Sequence, residues 1–333
     1  MNTGKIGIDM LDVGKGDAFV VDLYNETGER YVIAIDAGTD SVSERIINHI
    51  VQNHGGSVDL VISTHPDIDH IGGLPNMVEK LNVTHLLIND PRSFVSAEKI
   101  LSLAKSSFGI EEYHTFKSAF DRIDALTQLA KSEGVKVHSI FASPVAVYDW
   151  GGWSIYVVGP SENLFKDLWL SDDTVRQWFN SDSTEAILGL EKDKKSLIDD
   201  PSVDTKPVNN SSVMVLIEGY GRKYLFTGDA GKRAIREAAT FKDLSKLTWL
   251  DVPHHGSRRN VDTEIINYFA PEKAYISSPG ISKSNGKHPR KAVIRALQNT
   301  GTSVYSTCKN GSMYHCYNVV RNNYSTAAPW DQV

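Results

Sequence analysis

Along the first part of the chain Ile6, Ile8 and Met10 occupy every second position, the period of a strand with one face in a core. Ala18–Leu23 and Tyr31–Ile35 are short apolar runs with a turn over Asn25–Gly28 between them, so the segment predicts a β-meander. The period then changes. Ile46, Ile47, Ile50 and Val51 lie on one helical stripe, with Ser41 and Ser43 as candidate caps and Gly55-Gly56 as the stop, and Val58–Ser63 reads as a buried strand. Helical spacing returns from Ser96 to Ser132, and strand character from Val135 to Val147 and from Trp153 to Val158.

Ser161 to Val208 mixes helix formers with a charged run, EKDKKSLIDD, and predicts an insertion or cap outside the core. A second β-rich half follows. Strands are predicted over Ser212–Glu218, Lys223–Phe226, Leu247–Val252 and Ala274–Ser278, a turn at Gly221, and helices over Gly231–Thr240, Asp262–Phe269 and Arg290–Gln298. Strands and helices thus appear in two similar orders, which predicts two sheets packed face to face with helices outside. The expected organisation is one domain over 1–324, with insertions near 90–150 and 161–208 and a tail over 325–333. In that tail Trp330 either docks on the body or frays.

Composition narrows the class without choosing a function. Hydrophobic residues at 41% and charged residues at 23% are ordinary for a globular protein and argue against wholesale disorder. No apolar run approaches the roughly 20 residues of a spanning helix, and MNTGKIGIDM lacks a signal-like region, so no membrane partner and a cytoplasmic location are expected. Cys308 and Cys316 lie in SVYSTCKNGSMYHCYNVV, which alternates like a strand pair; two buried thiols are expected there rather than a disulfide. The net charge of −6 offers no general attraction for a polyanion, so any nucleic-acid contact has to be local. The oligomeric state is not legible.

The chemistry concentrates in THPDIDHIGG, where His65, Asp67, Asp69 and His70 follow an apolar strand and precede two glycines. A tight turn there points imidazole and carboxylate donors at one spot, and so many unneutralised groups together would be poorly accommodated without a cation. This motif resembles the metal motif of the metallo-β-lactamase superfamily, and within it the ComEC-type branch of bacterial DNA-uptake proteins. DVGKGDA, VIAIDAG, NNSSVMVLIE, YLFTGDA, LDVPHHGSRRN and YISSPG…HP are similar to that branch's landmarks in order, without its membrane channel.

The resemblance implies an α/β, αββα sandwich and a hydrolase that uses a metal-activated water, with one or two Zn²⁺ or Mn²⁺ ions. It makes His65 and Asp67 ligands of a first ion, Asp69 and His70 ligands of a second, Asp229 the bridge between them and His255 a further ligand of the second. Asp69 also takes a catalytic role in orienting water. His254 is expected on the substrate side, and His288 as a substrate contact, a proton donor or a plain helix start. Asn209, Asn210, Ser257, Arg258 and Lys287 are candidate substrate contacts, the asparagines being equally suited to a turn. Arg258, Arg259, Lys283, Lys287, Arg290 and Lys291 suggest a local basic surface for a phosphodiester, either nucleic acid or a small ester.

Two positions depart from the family pattern: Asp67 stands where a second histidine is usual, and Gly159-Pro160 where many relatives supply another. The first site is then expected to be oxygen-rich and to favour Mn²⁺ over Zn²⁺. Hydrolysis of carboxylic esters or thioesters, or a non-catalytic metal-stabilised module, are the alternatives to a phosphodiesterase.

Overall fold

A computed structural model describes residues 4–107, 109–170, 197, 202–204, 206–280, 288–321 and 326–332. The meander forms as predicted. β1 (Lys5–Met10), β2 (Phe19–Tyr24) and β3 (Arg30–Ile35) pair antiparallel, and Asn25 closes the second hairpin by accepting from the Thr27 and Glu29 amides. Helix α1 (Ser43–His54) buries Ile46, Ile47 and Ile50 and ends at a left-handed Gly55. Its start differs from expectation. A 3₁₀ turn over Asp40–Val42 feeds straight into it, and neither Ser41 nor Ser43 caps an amide; the Ser43 hydroxyl donates back to the Asp40 carbonyl.

β4 (Ser57–Ile62), β5 (Asn82–Leu87) and β6 (Lys136–His138) continue the first sheet in parallel from β3, through the short helices α2 (Ile68–Ile71) and α3 (Leu74–Lys80) and the longer α4 (Ala97–Ser107) and α5 (Ile110–Ser132). Strand structure covers only Lys136–His138 of the predicted Val135–Val147 run, because the chain there leaves one sheet for the other. The second sheet starts with β7 (Tyr148–Trp150) and β8 (Trp153–Gly159).

Helix α6 (Glu162–Leu170) corrects another expectation: Leu164, Phe165, Leu168 and Trp169 are buried in the core, so the start of the presumed cap belongs to the helix layer. Residues 171–196, 198–201 and 205 of that segment lie outside the described residues. The second sheet resumes after α7 (Pro207–Asn210) with β9 (Met214–Gly219), β10 (Arg222–Phe226), β11 (Trp249–Asp251), β12 (Lys273–Ile276) and β13 (Ser303–Ser306). They are joined by α8 (Lys232–Phe241), α9 (Thr263–Phe269) and α10 (Lys291–Asn299).

β14 (Met313–Tyr317) crosses back to pair with β1, giving two seven-stranded sheets in the orders β14-β1-β2-β3-β4-β5-β6 and β13-β12-β11-β10-β9-β8-β7. The alternation around the cysteines is therefore real, but its two strands sit in different sheets. Cys308 and Cys316 are free and exposed, not buried. Trp330 docks, its indole donating to the Ser306 hydroxyl.

Each sheet is antiparallel in one half and parallel in the other, and their facing sides share one apolar core. Ile6, Ile8, Met10, Phe19, Val21 and Ile33 meet Val215, Ile217, Tyr224, Phe226 and Trp249 there. This is the αββα sandwich that the two similar runs of elements predict. Among the described residues no helix is long and apolar enough to cross a membrane.

Candidate metal centre

The candidate donors leave the carboxyl ends of strands from both sheets. Asp36 follows β3, His65 to His70 follow β4, Asp229 follows β10, and His254 and His255 follow β11. Loops at strand ends converge there, while the strands that carry them are held rigidly by the core. Asp67 precedes α2, whose single turn carries Asp69 and His70.

The backbone is strained where the donors turn inward. Asp36 (φ 55°), His254 (φ 50°, ψ 53°) and His255 (φ 54°, ψ 28°) are all left-handed, at a cost of roughly 1–3 kcal/mol each. Hydrogen bonds hold the turn. The His254 amide donates to the Gly228 carbonyl (3.1 Å), Ser257 N to His254 O (2.9 Å) and Arg290 N to Gly256 O (3.1 Å). Gly228 is left-handed as well, and a Cβ there would stand 3.0 Å from Thr64 Cβ, so this residue must lack a side chain for Asp229 to reach the loop after β4.

The imidazoles are held from behind. His70 Nδ1 lies 2.8 Å from Asp36 Oδ2, and His255 Nδ1 lies 3.1 Å from the Ser277 carbonyl; only acceptors face these nitrogens, so each carries the proton. His65 Nδ1 lies 3.0 Å from the Thr64 hydroxyl, which itself donates to Asp36 at 2.6 Å and is left to accept from the ring. The lone pairs of all three rings are thereby placed on Nε2. Those three Nε2 atoms and Asp229 Oδ1 are buried with no hydrogen-bond partner, which is costly unless something else satisfies them.

Separations between the inward atoms fit shared coordination. His65 Nε2 is 3.7 Å from Asp229 Oδ2 and 3.9 Å from Asp67 Oδ2. His70 Nε2 is 3.5 Å from Asp229 Oδ1, and His255 Nε2 is 3.8 Å from Asp69 Oδ2 and 4.0 Å from Asp229 Oδ1. These gaps are too long for hydrogen bonds, but two ligands of one tetrahedral ion with bonds of about 2.1 Å lie about 3.4 Å apart. The residues present therefore fit a divalent ion between Asp69, His70 and His255, whose donor atoms lie within 4.8 Å of one another, and the pair spacings set His65 and Asp67 across Asp229 from it; cations there would satisfy the four orphaned atoms.

Electrostatics agree. With protein groups alone, burial works against charge on His70, but Asp229 and the bond to Asp36 outweigh it and hold the ring well above its usual range. Burial likewise opposes ionisation of Asp229, yet His254, His70, His255 and His65 keep it well below the usual carboxylate range. Burial and the adjacent His70 push His65 down. Asp229 and Asp69 are thus held ionised in the pocket, and positive charge must balance them.

His65, Asp67, Asp69, His70, Asp229 and His255 are brought together as expected. Asn209 is buried and donates to Asp204 Oδ2 at 2.8 Å with His254 Nδ1 at 3.4 Å, while Asn210 donates to the Asp204 and Lys206 carbonyls; both brace the loop, the turn role that the sequence equally allowed. Ser257 is buried with its hydroxyl accepting from the Arg259 amide. Arg258 and Arg290 are buried too, so they form no solvent-facing basic surface; Lys283 and Lys287 lie outside the described residues. The His288 ring lies 5.1 Å from that of His254, and burial together with the His254 and His255 charges pushes its pKa well down.

Several groups carried no site signal in the sequence. Asp36 and Asp17 sit in quoted landmarks without an assigned role, yet Asp17 reaches to 3.7 Å from His70 Nδ1 and 3.6 Å from His255 Nδ1. Lys15 Nζ stands 3.1 Å from Asp69 Oδ2, and Arg122 on α5 donates to the Pro66 carbonyl beside Asp67 and Asp69. Asp204 and Asn260 close around His254.

The fold is an αββα sandwich with a His/Asp cluster at its strand ends, and residues 11–142 match the model of the metallo-beta-lactamase superfamily. Residues 11–142 thus carry a metallo-beta-lactamase superfamily domain. It is similar to ComE operon protein 3 of Bacillus subtilis, 25% identical over 341 residues that cover 97% of this chain and 34% of that protein. It is also similar to Recombination protein 2 of Haemophilus influenzae, 22% identical over 306 residues covering 92% and 28%. The chain therefore spans about a third of the length of these relatives. Among solved structures, Igni18, a metallo hydrolase from Ignicoccus hospitalis, aligns with TM-score 0.47 at 13% identity over 94% of this chain and 100% of that one. A metallo-beta-lactamase from Cronobacter sakazakii aligns with TM-score 0.38 at 12% identity over 87% of each chain.

Proposed function

We propose that the protein is a metal-dependent phosphodiesterase acting on a nucleic acid or a small phosphodiester. The observation that carries this reading is the convergence of three orphaned imidazole nitrogens and one carboxylate oxygen on Asp229. His65, Asp67 and one Asp229 oxygen would hold one ion; Asp69, His70, His255 and the other oxygen would hold a second. Bound there, Zn²⁺ or Mn²⁺ would supply an acidified water and neutralise charge on the substrate oxygens. The chain's own residues set the rest. Asp36, Thr64 and the Ser277 carbonyl fix the ring tautomers, and Asp69, held ionised by His70, His255 and Lys15, serves as a hydrogen-bond acceptor in the pocket.

A phosphodiester is favoured over a neutral ester by the cations at the rim. The Lys15 side chain is 69% exposed, and its charge is held by Asp69, Asp67 and Asp229; burial opposes it, but these carboxylates raise its pKa. Arg122 is anchored on the other side of the same loop. Both suit an anionic group seated over the pocket.

The test is turnover of a nitrophenyl phosphodiester by metal-loaded protein. Asp69→Asn and His70→Ala should abolish it while circular dichroism stays unchanged. Turnover of carboxylic esters with none of phosphodiesters would refute the substrate class. For the nucleic-acid version, a labelled oligonucleotide should bind more weakly as salt rises; no binding at low ionic strength rejects it.

A further inference from the structure

Resting on that reading, we propose that His254 is the missing nitrogen ligand of the first ion, held in place by Asp204 and Asn260, so that the two halves of the centre have equal two-nitrogen, two-oxygen donor sets.

The gap in the first site comes from the chain itself. Asp67 replaces one imidazole and Gly159-Pro160 another, leaving His65 as the only nitrogen delivered by the β4 and β8 loops. His254 comes from the opposite wall. Its Nε2 lies 3.6 Å from Asp229 Oδ2, the same oxygen that His65 Nε2 approaches at 3.7 Å. That distance is too long for a hydrogen bond and close to the spacing of two ligands on one ion.

The tautomer is set by a chain of hydrogen bonds. Asn260 Nδ2 faces three acceptors, the Asp229 carbonyl (3.0 Å), the Ala230 carbonyl (3.3 Å) and Asp204 Oδ2 (3.0 Å), which fixes its amide with Oδ1 turned to His254. His254 Nδ1 meets two oxygens, Asn260 Oδ1 at 3.1 Å and Asp204 Oδ2 at 3.0 Å; the Asn209 amide nitrogen is farther off at 3.4 Å and donates to Asp204 at 2.8 Å, so the two short contacts place a proton on Nδ1. Its Nε2 is then the nitrogen left to face Asp229 Oδ2, at the spacing of two ligands of one ion. This carboxylate–histidine pairing is how proteins orient imidazole ligands. Asp204 is itself buried and held by Asn209, so the support is rigid.

The pattern balances. One half has His65, His254, Asp67 and Asp229; the other has His70, His255, Asp69 and Asp229. The left-handed backbone of the His-His pair has a purpose in this arrangement, because it lets successive residues serve the two halves. The first site is then no more oxygen-rich than the second, and the preference for Mn²⁺ inferred from Asp67 alone disappears.

The experiment is a Zn²⁺ titration of metal-stripped protein against a chromophoric chelator, which counts ions without requiring turnover. Wild type should bind two ions per chain, and His254→Ala one. Asp204→Asn should still bind two, one of them weakened by about 10- to 100-fold. Two ions of unchanged affinity in His254→Ala overturn the assignment. So does loss of both together from a variant with wild-type circular dichroism. Wild type that binds no ion at all sinks the metal-dependent reading itself, a separate and distinguishable failure.

Discussion

At the scale of single residues the centre depends on groups that never touch an ion. Asp36 accepts from the Thr64 amide, the Thr64 hydroxyl and His70 at once, so Asp36→Asn should lower metal affinity by about 10- to 100-fold, read by chelator competition. A second prediction lies away from the centre. His315 is buried against Tyr224 and Tyr275, and burial, with Lys273 and Arg222 adding to it, pushes its pKa down to about 3. The folded protein then binds this proton less readily than the unfolded chain, whose histidine titrates near 6.5. Its neutral form supports the fold fully above that value, and the support is lost as pH falls from there towards 3. Urea midpoints should show His315→Gln removing about 2 kcal/mol of the stability difference between pH 7 and pH 5. An unchanged slope would count against it.

At the scale of elements, the loop between β1 and β2 is the strand-to-strand connection that locks the metal loop. Gly16 is left-handed, its carbonyl accepts from the Ser277 hydroxyl at 2.6 Å, and a Cβ there would fall 1.7 Å from the Asp69 carbonyl oxygen. Gly16→Ala should therefore cost at least about 2 kcal/mol in denaturant unfolding and displace Asp69 enough to reduce bound metal. Most elements were legible as short apolar runs or helical stripes, because strands such as β2 and β9 are covered on both faces and helices such as α1 bury one side. The exceptions share a cause: Val135–Val147 alternates yet crosses between sheets, and α6 sits beside a charged run yet buries Phe165 and Trp169. Pattern reports that a segment has an apolar face and says nothing of which surface will cover it.

At the scale of the molecule, the centre exists only where the two sheets meet. Trp249 on β11, fully buried, packs on Phe226 (4.7 Å) of its own sheet and Phe19 (5.9 Å) of the other, just before the chain reaches His254 and His255. Trp249→Ala should cost about 3–5 kcal/mol and lower ion affinity in the same protein, a coupling that a purely local site would not show. Conversely, ions held by donors that only the fold assembles should stabilise it. Saturation at about 1,000 times Kd should stabilise by about 4 kcal/mol per ion, and a chelator should remove that increment reversibly in a thermal melt.

The chain by itself determined the sandwich, through two similar runs of strands and helices, and the inner donors, through the dense His-Asp loop after β4 and the resemblance of Asp229 and His255 to a known pattern. Local chemistry was enough there because His65 to His70 are neighbours in sequence. Tertiary structure alone decided which atoms face each other. Asp36, Asp204 and Asn260 act through hydrogen bonds closed between distant segments, and Arg258 and Arg290 turned inward instead of forming a basic face. Charge and residue type are written in the sequence, but the direction of a lone pair is set by what packs behind the ring.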